Sequence, residues 1–177
     1  MLRYIAFLRG VNVSGQKIIK MELLRKALTD AGFDGVKTYI QSGNVVFNSD
    51  NSVTKQLIQQ IEDLIEQLFG FRTDVILRKT SSIATIVNSL VSSNLKFEDT
   101  RKYYITFLKR SFTDSLTLPL FSKNKDVELI YADEMDFISI SSLYKGNYGF
   151  PNAFIEKLTG IPATTRNPNT LEKLLTL

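Results

Sequence analysis

Apolar positions along this chain recur with two periods, one suited to strands and one to helices. Tyr4 to Leu8 is an unbroken apolar run, short enough for a strand. Met21, Leu24, Ala27, Leu28 and Ala31 then follow helical spacing, and Gly32 supplies a stop. Val36 to Gln41 is rich in β-formers, Ser42-Gly43-Asn44 is turn chemistry, and Val45 to Phe47 resumes a strand, so the spacing predicts a hairpin. Val53, Leu57, Ile58, Ile61, Leu64, Ile65 and Leu68 form a long helical stripe, with Ser52 placed as an N-cap, and Thr73 to Leu77 reads as another strand. The order β-α-β-β-α-β is that of a split-βαβ, or ferredoxin-like, unit.

The pattern then restarts. Tyr104-Ile105-Thr106-Phe107-Leu108-Lys109-Arg110 echoes Tyr4-Ile5-Ala6-Phe7-Leu8-Arg9-Gly10. Leu118-Pro119-Leu120 makes the next apolar segment a poor helix. Val127 to Ala132 and Asp136 to Ser141 predict a second hairpin, turned at Asp133-Glu134-Met135. Asn152 to Leu158 predicts a helix between Pro151 and Gly160, and Thr170 to Leu175 a last one. The expected class is α+β: two ferredoxin-like (α/β-plait) units in tandem, helices on one face of each sheet. The second unit reads as degenerate, with a helix where the fourth strand would be. The expected division is 1–80, a connecting segment 81–101 with a helix over Ile83 to Leu90, and 102–177, or all of it packed as one compact domain. Both first strands are apolar on both faces, which predicts burial on both, with the neighbouring half as the expected cover.

Composition narrows the chemistry. With 44% apolar and 23% charged residues, the 177-residue chain is globular in type. It has no Cys and no His, so disulfides, thiolate nucleophiles, Cys/His zinc sites and histidine-based catalysis are excluded. An enzyme built on it would use carboxylates, Lys, Tyr, hydroxyls, backbone amides or a bound Mg²⁺, and no motif selects one; no cofactor is predicted. The apolar runs fall far short of a membrane span, and the N-terminus offers no signal-peptide pattern, so the expected location is the cytoplasm. The net charge of +4 is mild, but the first twenty residues hold Arg3, Arg9, Lys17 and Lys20 and no acid.

That basic excess surrounds Arg9-Gly10-Val11-Asn12-Val13-Ser14-Gly15-Gln16-Lys17. The stretch approximates a phosphate-binding P-loop but fails it, with Gln16 at the lysine position and Ile18 at the hydroxyl position. A glycine-containing loop between a strand and a helix can still aim backbone N–H groups at an anion, with Arg9 and Lys17 adding charge. Thr164-Thr165-Arg166-Asn167-Pro168 reads as a second such place, Asn167 capping a helix that Pro168 begins. Taken alone, each loop is read more simply as turn and cap chemistry. Asp133, Glu134 and Asp136 read as a solvated turn, and no metal site is assigned.

Three stretches together carry a resemblance: Tyr4 to Gly15, Thr38 to Phe47, and Ala163 to Asn167. They resemble the bacterial family known as domain of unknown function 1697. The resemblance implies a pair of α/β-plait units and no established activity. It also implies that Arg9, Gly10, Asn12, Gly15, Lys17, Gln41, Ser42, Asn44, Arg166 and Asn167 are ligand-binding candidates as a group. The family pattern has an aromatic residue after the Arg-Asn pair, where this chain has Pro168. The leading expectation is a protein that binds an anionic, phosphate-bearing small molecule or nucleotide. The alternatives are nucleic-acid binding through the basic N-terminal loop, and a structural or interaction protein whose polar motifs lock the two halves. The sequence leaves the oligomeric state open.

Overall fold

The computed structural model describes residues 1–92 and 100–177. It is a mixed α+β fold with two antiparallel sheets and, among the described residues, five helices. The chain divides into two compact units: unit 1 is Met1–Ile86 with Lys173–Leu177, and unit 2 is Val87–Glu172. The part of the expected connecting segment that falls at 93–99 lies outside the described residues.

Unit 1 runs β1 (Leu2–Leu8), α1 (Met21–Asp30), β2 (Asp34–Tyr39), β3 (Asn44–Ser49), α2 (Thr54–Phe69) and β4 (Val75–Lys79), and α3 (Thr80–Ser92) begins in it. Its four strands lie in the order β2-β3-β1-β4, with Tyr4 opposite Phe47 and Lys79. Tyr4, Ala6, Leu8, Val45, Phe47, Val75 and Leu77 point to one face and bury against Leu24 and Leu28 of α1 and Leu57, Ile61 and Ile65 of α2. That is the periodicity of two on the strands meeting the stripe of three to four on the helices. Ile5, Phe7, Val46 and Ile76, of opposite parity, are also fully buried.

One start signal is corrected. The helix α2 is not capped by Ser52; Val53 holds the N-cap position, with no side-chain cap bond. The entry is shaped instead by Asn51, whose Oδ1 accepts from Val53 N at 2.9 Å. An Asn side chain reaching two residues ahead closes an Asx turn, which competes with a serine cap.

Unit 2 runs β5 (Arg101–Leu108), β6 (Leu120–Phe121), β7 (Val127–Ala132), β8 (Asp136–Tyr144), β9 (Asn147–Tyr148), α4 (Pro151–Thr159) and β10 (Ala163–Arg166), and α5 (Pro168–Leu175) starts in it. The sheet order is β10-β5-β8-β7-β6, with β9 pairing β8. Leu108, Leu129, Phe137, Ile155, Ile161 and Ala163 form its core, with Phe154 and Leu158 packed on it.

A second correction concerns the fourth strand. It is not replaced by a helix: Ala163–Arg166 is strand β10, in register with Ile105 to Leu108 of β5, and α5 follows it. The signal was masked because Thr164 and Thr165, both buried, are polar. Thr165 Oγ1 lies 2.8 Å from Thr106 Oγ1 and donates to Asn152 Oδ1 at 3.1 Å, so a hydroxyl chain satisfies the buried strand. Between β5 and β7, where unit 1 has a helix, unit 2 has irregular chain, a cis Leu118–Pro119 bond and the short β6. No described helix is long and apolar enough to cross a membrane.

Candidate functional site

The basic loop after β1 is built on left-handed backbone. Gly10, Asn12, Ser14, Gly15 and Lys17 all have positive φ, between 47° and 73°. Gln16 N donates to Val13 O at 3.0 Å around Ser14 and Gly15, and Asn12 N donates to Lys17 O at 3.1 Å. Positive φ at both central residues is the signature of a type I′ turn, so Asn12 to Lys17 is a miniature hairpin. Among L-residues this region of φ is uncommon outside Asn and Asp, which places local strain at Ser14 and Lys17.

Asn12 closes that hairpin and anchors it. Its Nδ2 donates to Ile19 O at 3.1 Å and to Gln41 O at 2.7 Å, while its Oδ1 accepts from Ile19 N at 2.7 Å. Both amide hydrogens are therefore committed to the protein. The bond to Gln41 couples the two polar motifs of unit 1, and Leu8 N adds a bond to Gly43 O at 2.8 Å. Gly43 has φ 75°, and a Cβ there would lie 2.5 Å from Val11 Cγ2 and 2.8 Å from Leu8 Cβ. Only glycine allows that approach. Asn44 is fully buried and donates to Tyr39 O and Ser42 Oγ at 3.2 and 2.9 Å.

The cations of the loop contact the segment that follows α2. Arg9 pairs with Asp74 at 3.6 Å with both side chains partly exposed, and its carbonyl accepts from Thr73 Oγ1 at 2.6 Å. Exposed Lys17 donates to Arg72 O at 2.9 Å and stands 6.0 Å from the Phe71 ring centroid. The exposed Arg72 pairs with Glu66 at 2.7 Å. The segment after α2 thus adds Arg72 to the basic cluster, a residue the sequence reading did not select. Nothing in the local pattern marked it; only the pairing of β1 with β4 brings it beside the loop. Gln41 and Ser42 are exposed at the adjoining turn.

The remaining candidates, Arg166 and Asn167, belong to unit 2. Arg166 ends β10; its Nη1 donates to Thr164 Oγ1 at 2.7 Å and Thr165 O at 2.9 Å. Burial lowers its pKa to about 10, still well above neutrality, so it is charged at pH 7. Asn167 acts as expected of a cap: Thr170 N donates to its Oδ1 at 2.8 Å. Thr164 and Thr165 do not stand at the mouth of α5 but within the sheet. In the acidic turn, Asp133 Oδ1 accepts from Met135 N and Asp136 N at 2.8 and 2.7 Å, a turn-closing role. No described group of three or more acidic side chains is placed to hold a metal ion.

A family model described as "Protein of unknown function (DUF1697)" matches residues 1–137. No curated protein matches the chain. Among solved structures, the conserved bacterial protein SP0830 from Streptococcus pneumoniae is similar, with a TM-score of 0.66 and 22% identity over 99% of this chain and 97% of that one. At that identity the likeness is one of fold.

Proposed function

The chain belongs to the DUF1697 family, and from that premise we propose that it binds an anionic, phosphate-bearing small molecule at the basic loop of unit 1. The observation that carries this reading is strain in an exposed place. Two residues that seldom adopt it, Ser14 and Lys17, hold positive φ beside Asn12, within a loop that carries cations and no acid. Such backbone costs of order 1 kcal/mol per residue and tends to persist where it positions a functional surface. Asn12 fixes the loop by its three hydrogen bonds, while Lys17 and Gln41 are exposed and Arg9 is partly exposed. The Arg9–Asp74 pair is a partly exposed contact at 3.6 Å, so an arriving phosphate can compete for the guanidinium. Lys17 has given one of three hydrogens to Arg72 O, and the others are available to a ligand. No reaction is assigned to the site.

The same reading takes each unit as a ferredoxin-like plait, the second lacking its first helix. The support is the order β2-β3-β1-β4 in unit 1 and its counterpart β10-β5-β8-β7 in unit 2.

The test is a thermal-shift screen of the full chain against inorganic phosphate, nucleotides, sugar phosphates and short RNA at low and high salt. A ligand of the folded state adds about 2.7 kcal/mol of stability at a hundredfold excess over its dissociation constant. A salt-resistant shift that Arg9→Ala abolishes is the expected result. A shift with RNA alone that vanishes at high salt would replace it with the nucleic-acid reading. The bonds of Asn12 and Asn44 favour one other reading, in which these motifs serve only to lock loops. That reading predicts no ligand shift at all.

A further inference from the structure

A different surface, in unit 2, has the character of a small-molecule site. A groove of about 620 Å³ lies between the turn that joins β6 to β7 and the exposed side of α4. That volume is in the range of about 300 to 1,000 Å³ that suits a small ligand. Its apolar side is formed by Ala153, Phe154 and Leu158. Phe154 and Leu158 also pack on the core of unit 2, so their position is fixed from below. Lys157 stands on the helix wall and Lys123 on the turn wall, both exposed. Neither has a salt-bridge partner among the described residues.

The turn wall is held rigid. Ser122 Oγ donates to Asp126 Oδ1 at 2.6 Å and accepts from Val127 N at 3.0 Å. Ser122 N donates to Val127 O, Lys125 N to Ser122 O and Ser142 N to Asp126 O, each at 2.9 Å. Behind the turn, a Cβ on Gly149 would lie 2.6 Å from Asp126 O and 2.8 Å from Asp126 Oδ2. The one carboxylate of the lining is therefore engaged with the wall, on Ser122 and against Gly149. The lysines are left as the groove's free charges.

We propose that this groove binds a small amphipathic anion, a molecule with an aromatic or short acyl body and a carboxylate, sulfonate or phosphate head. The body lies on Phe154, Leu158 and Ala153, and the head sits between Lys123 and Lys157. Two walls held in advance by the protein's own bonds lower the ordering cost of binding. Two lysines against one carboxylate leave the lining with a net charge of +1, which orients an anionic head without requiring deep burial.

The experiment is a fluorescence titration of the full chain with anilinonaphthalene sulfonate, followed by competition with octanoate and with octanol. The expected result is one saturable site, displaced by octanoate and at least tenfold less well by octanol. In Lys123→Glu/Lys157→Glu the probe binds at least tenfold more weakly. Ala153→Trp, which fills the groove from an exposed position, weakens it similarly. Circular dichroism melting of each variant shows that the fold is kept. Failure of the wild type to bind, equal displacement by octanol, or unchanged affinity in either variant overturns the proposal. None of these outcomes bears on the basic loop of unit 1, whose test uses phosphates and Arg9→Ala.

Discussion

The basic loop of unit 1 and the groove of unit 2 are both cationic and exposed, yet they are built in opposite ways. In the loop, Asn12, Asn44, Arg9 and Lys17 are bonded to other protein atoms, and the backbone is bent through five left-handed residues to allow it. In the groove the backbone is ordinary at the lining helix, the wall is fixed by one serine and one aspartate, and both lysines are left over. The difference separates two uses of a polar side chain. Asn12 and Asn44 spend their amide hydrogens on holding a shape, whereas Lys123 and Lys157, like the remaining hydrogens of Lys17, keep theirs for a partner. Substitutions should therefore cost stability in the loop and almost none in the groove.

The largest effect is expected at Gly43. Alanine there must adopt φ 75° and place a Cβ within 2.8 Å of both Val11 and Leu8 side chains. Left-handed strain of roughly 1–2 kcal/mol adds to an overpacking cost of similar size. Gly43→Ala should lose about 3 kcal/mol in denaturant unfolding. A loss below about 1 kcal/mol would mean that the turn is free to relax, and the contrast with the groove would collapse.

Next comes Asn12. Asn12→Ala removes three hydrogen bonds and leaves the amide and carbonyl of Ile19 and the carbonyl of Gln41 without that partner. A cost of about 2–3 kcal/mol is expected. Asn12→Gly removes the same bonds but accepts φ 55° without strain, so it should be roughly 1 kcal/mol more stable than the alanine variant. Equal losses in the two variants would show that this loop accepts an alanine at positive φ without strain, and would count against strain at its neighbours Ser14 and Lys17. Asn167→Ala, which removes the cap bond to Thr170 N, is a smaller test at about 1 kcal/mol, read by thermal melting.

These cases also show what the sequence could and could not reveal. The strands and helices of unit 1 were legible because each buries a regular stripe: Leu57, Ile61 and Ile65 on α2, and Tyr4, Ala6 and Leu8 on β1. Strand β10 was not, because its buried Thr164 and Thr165 are satisfied by partners 59 residues and 13 residues away for Thr165, and polar side chains followed by Asn-Pro read as a helix start. Asn12 was legible as a residue that mattered but not as a clamp, since its direction depends on a backbone conformation that only the folded loop imposes. The groove was illegible for another reason. Its walls come from a turn at Ser122 to Asp126 and a helix at Ala153 to Leu158, each of which reads alone as ordinary surface.

The smallest stability effect is expected where the comparison is most exposed to failure. Lys123 and Lys157 are solvated, and exposed positions of this kind change stability by within about 0.5 kcal/mol. Lys123→Glu/Lys157→Glu should therefore melt within a degree or two of wild type, in the span that such a change produces for a chain of this length. If the double variant instead melted as low as Asn12→Ala, the lysines would be holding the turn against α4. The groove would then be a lock, its cations no more available to a ligand than the amide of Asn12. A melting point that stays in place leaves the two lysines as charges the fold does not need, so that any loss of probe affinity in the same variant reports on binding and not on folding.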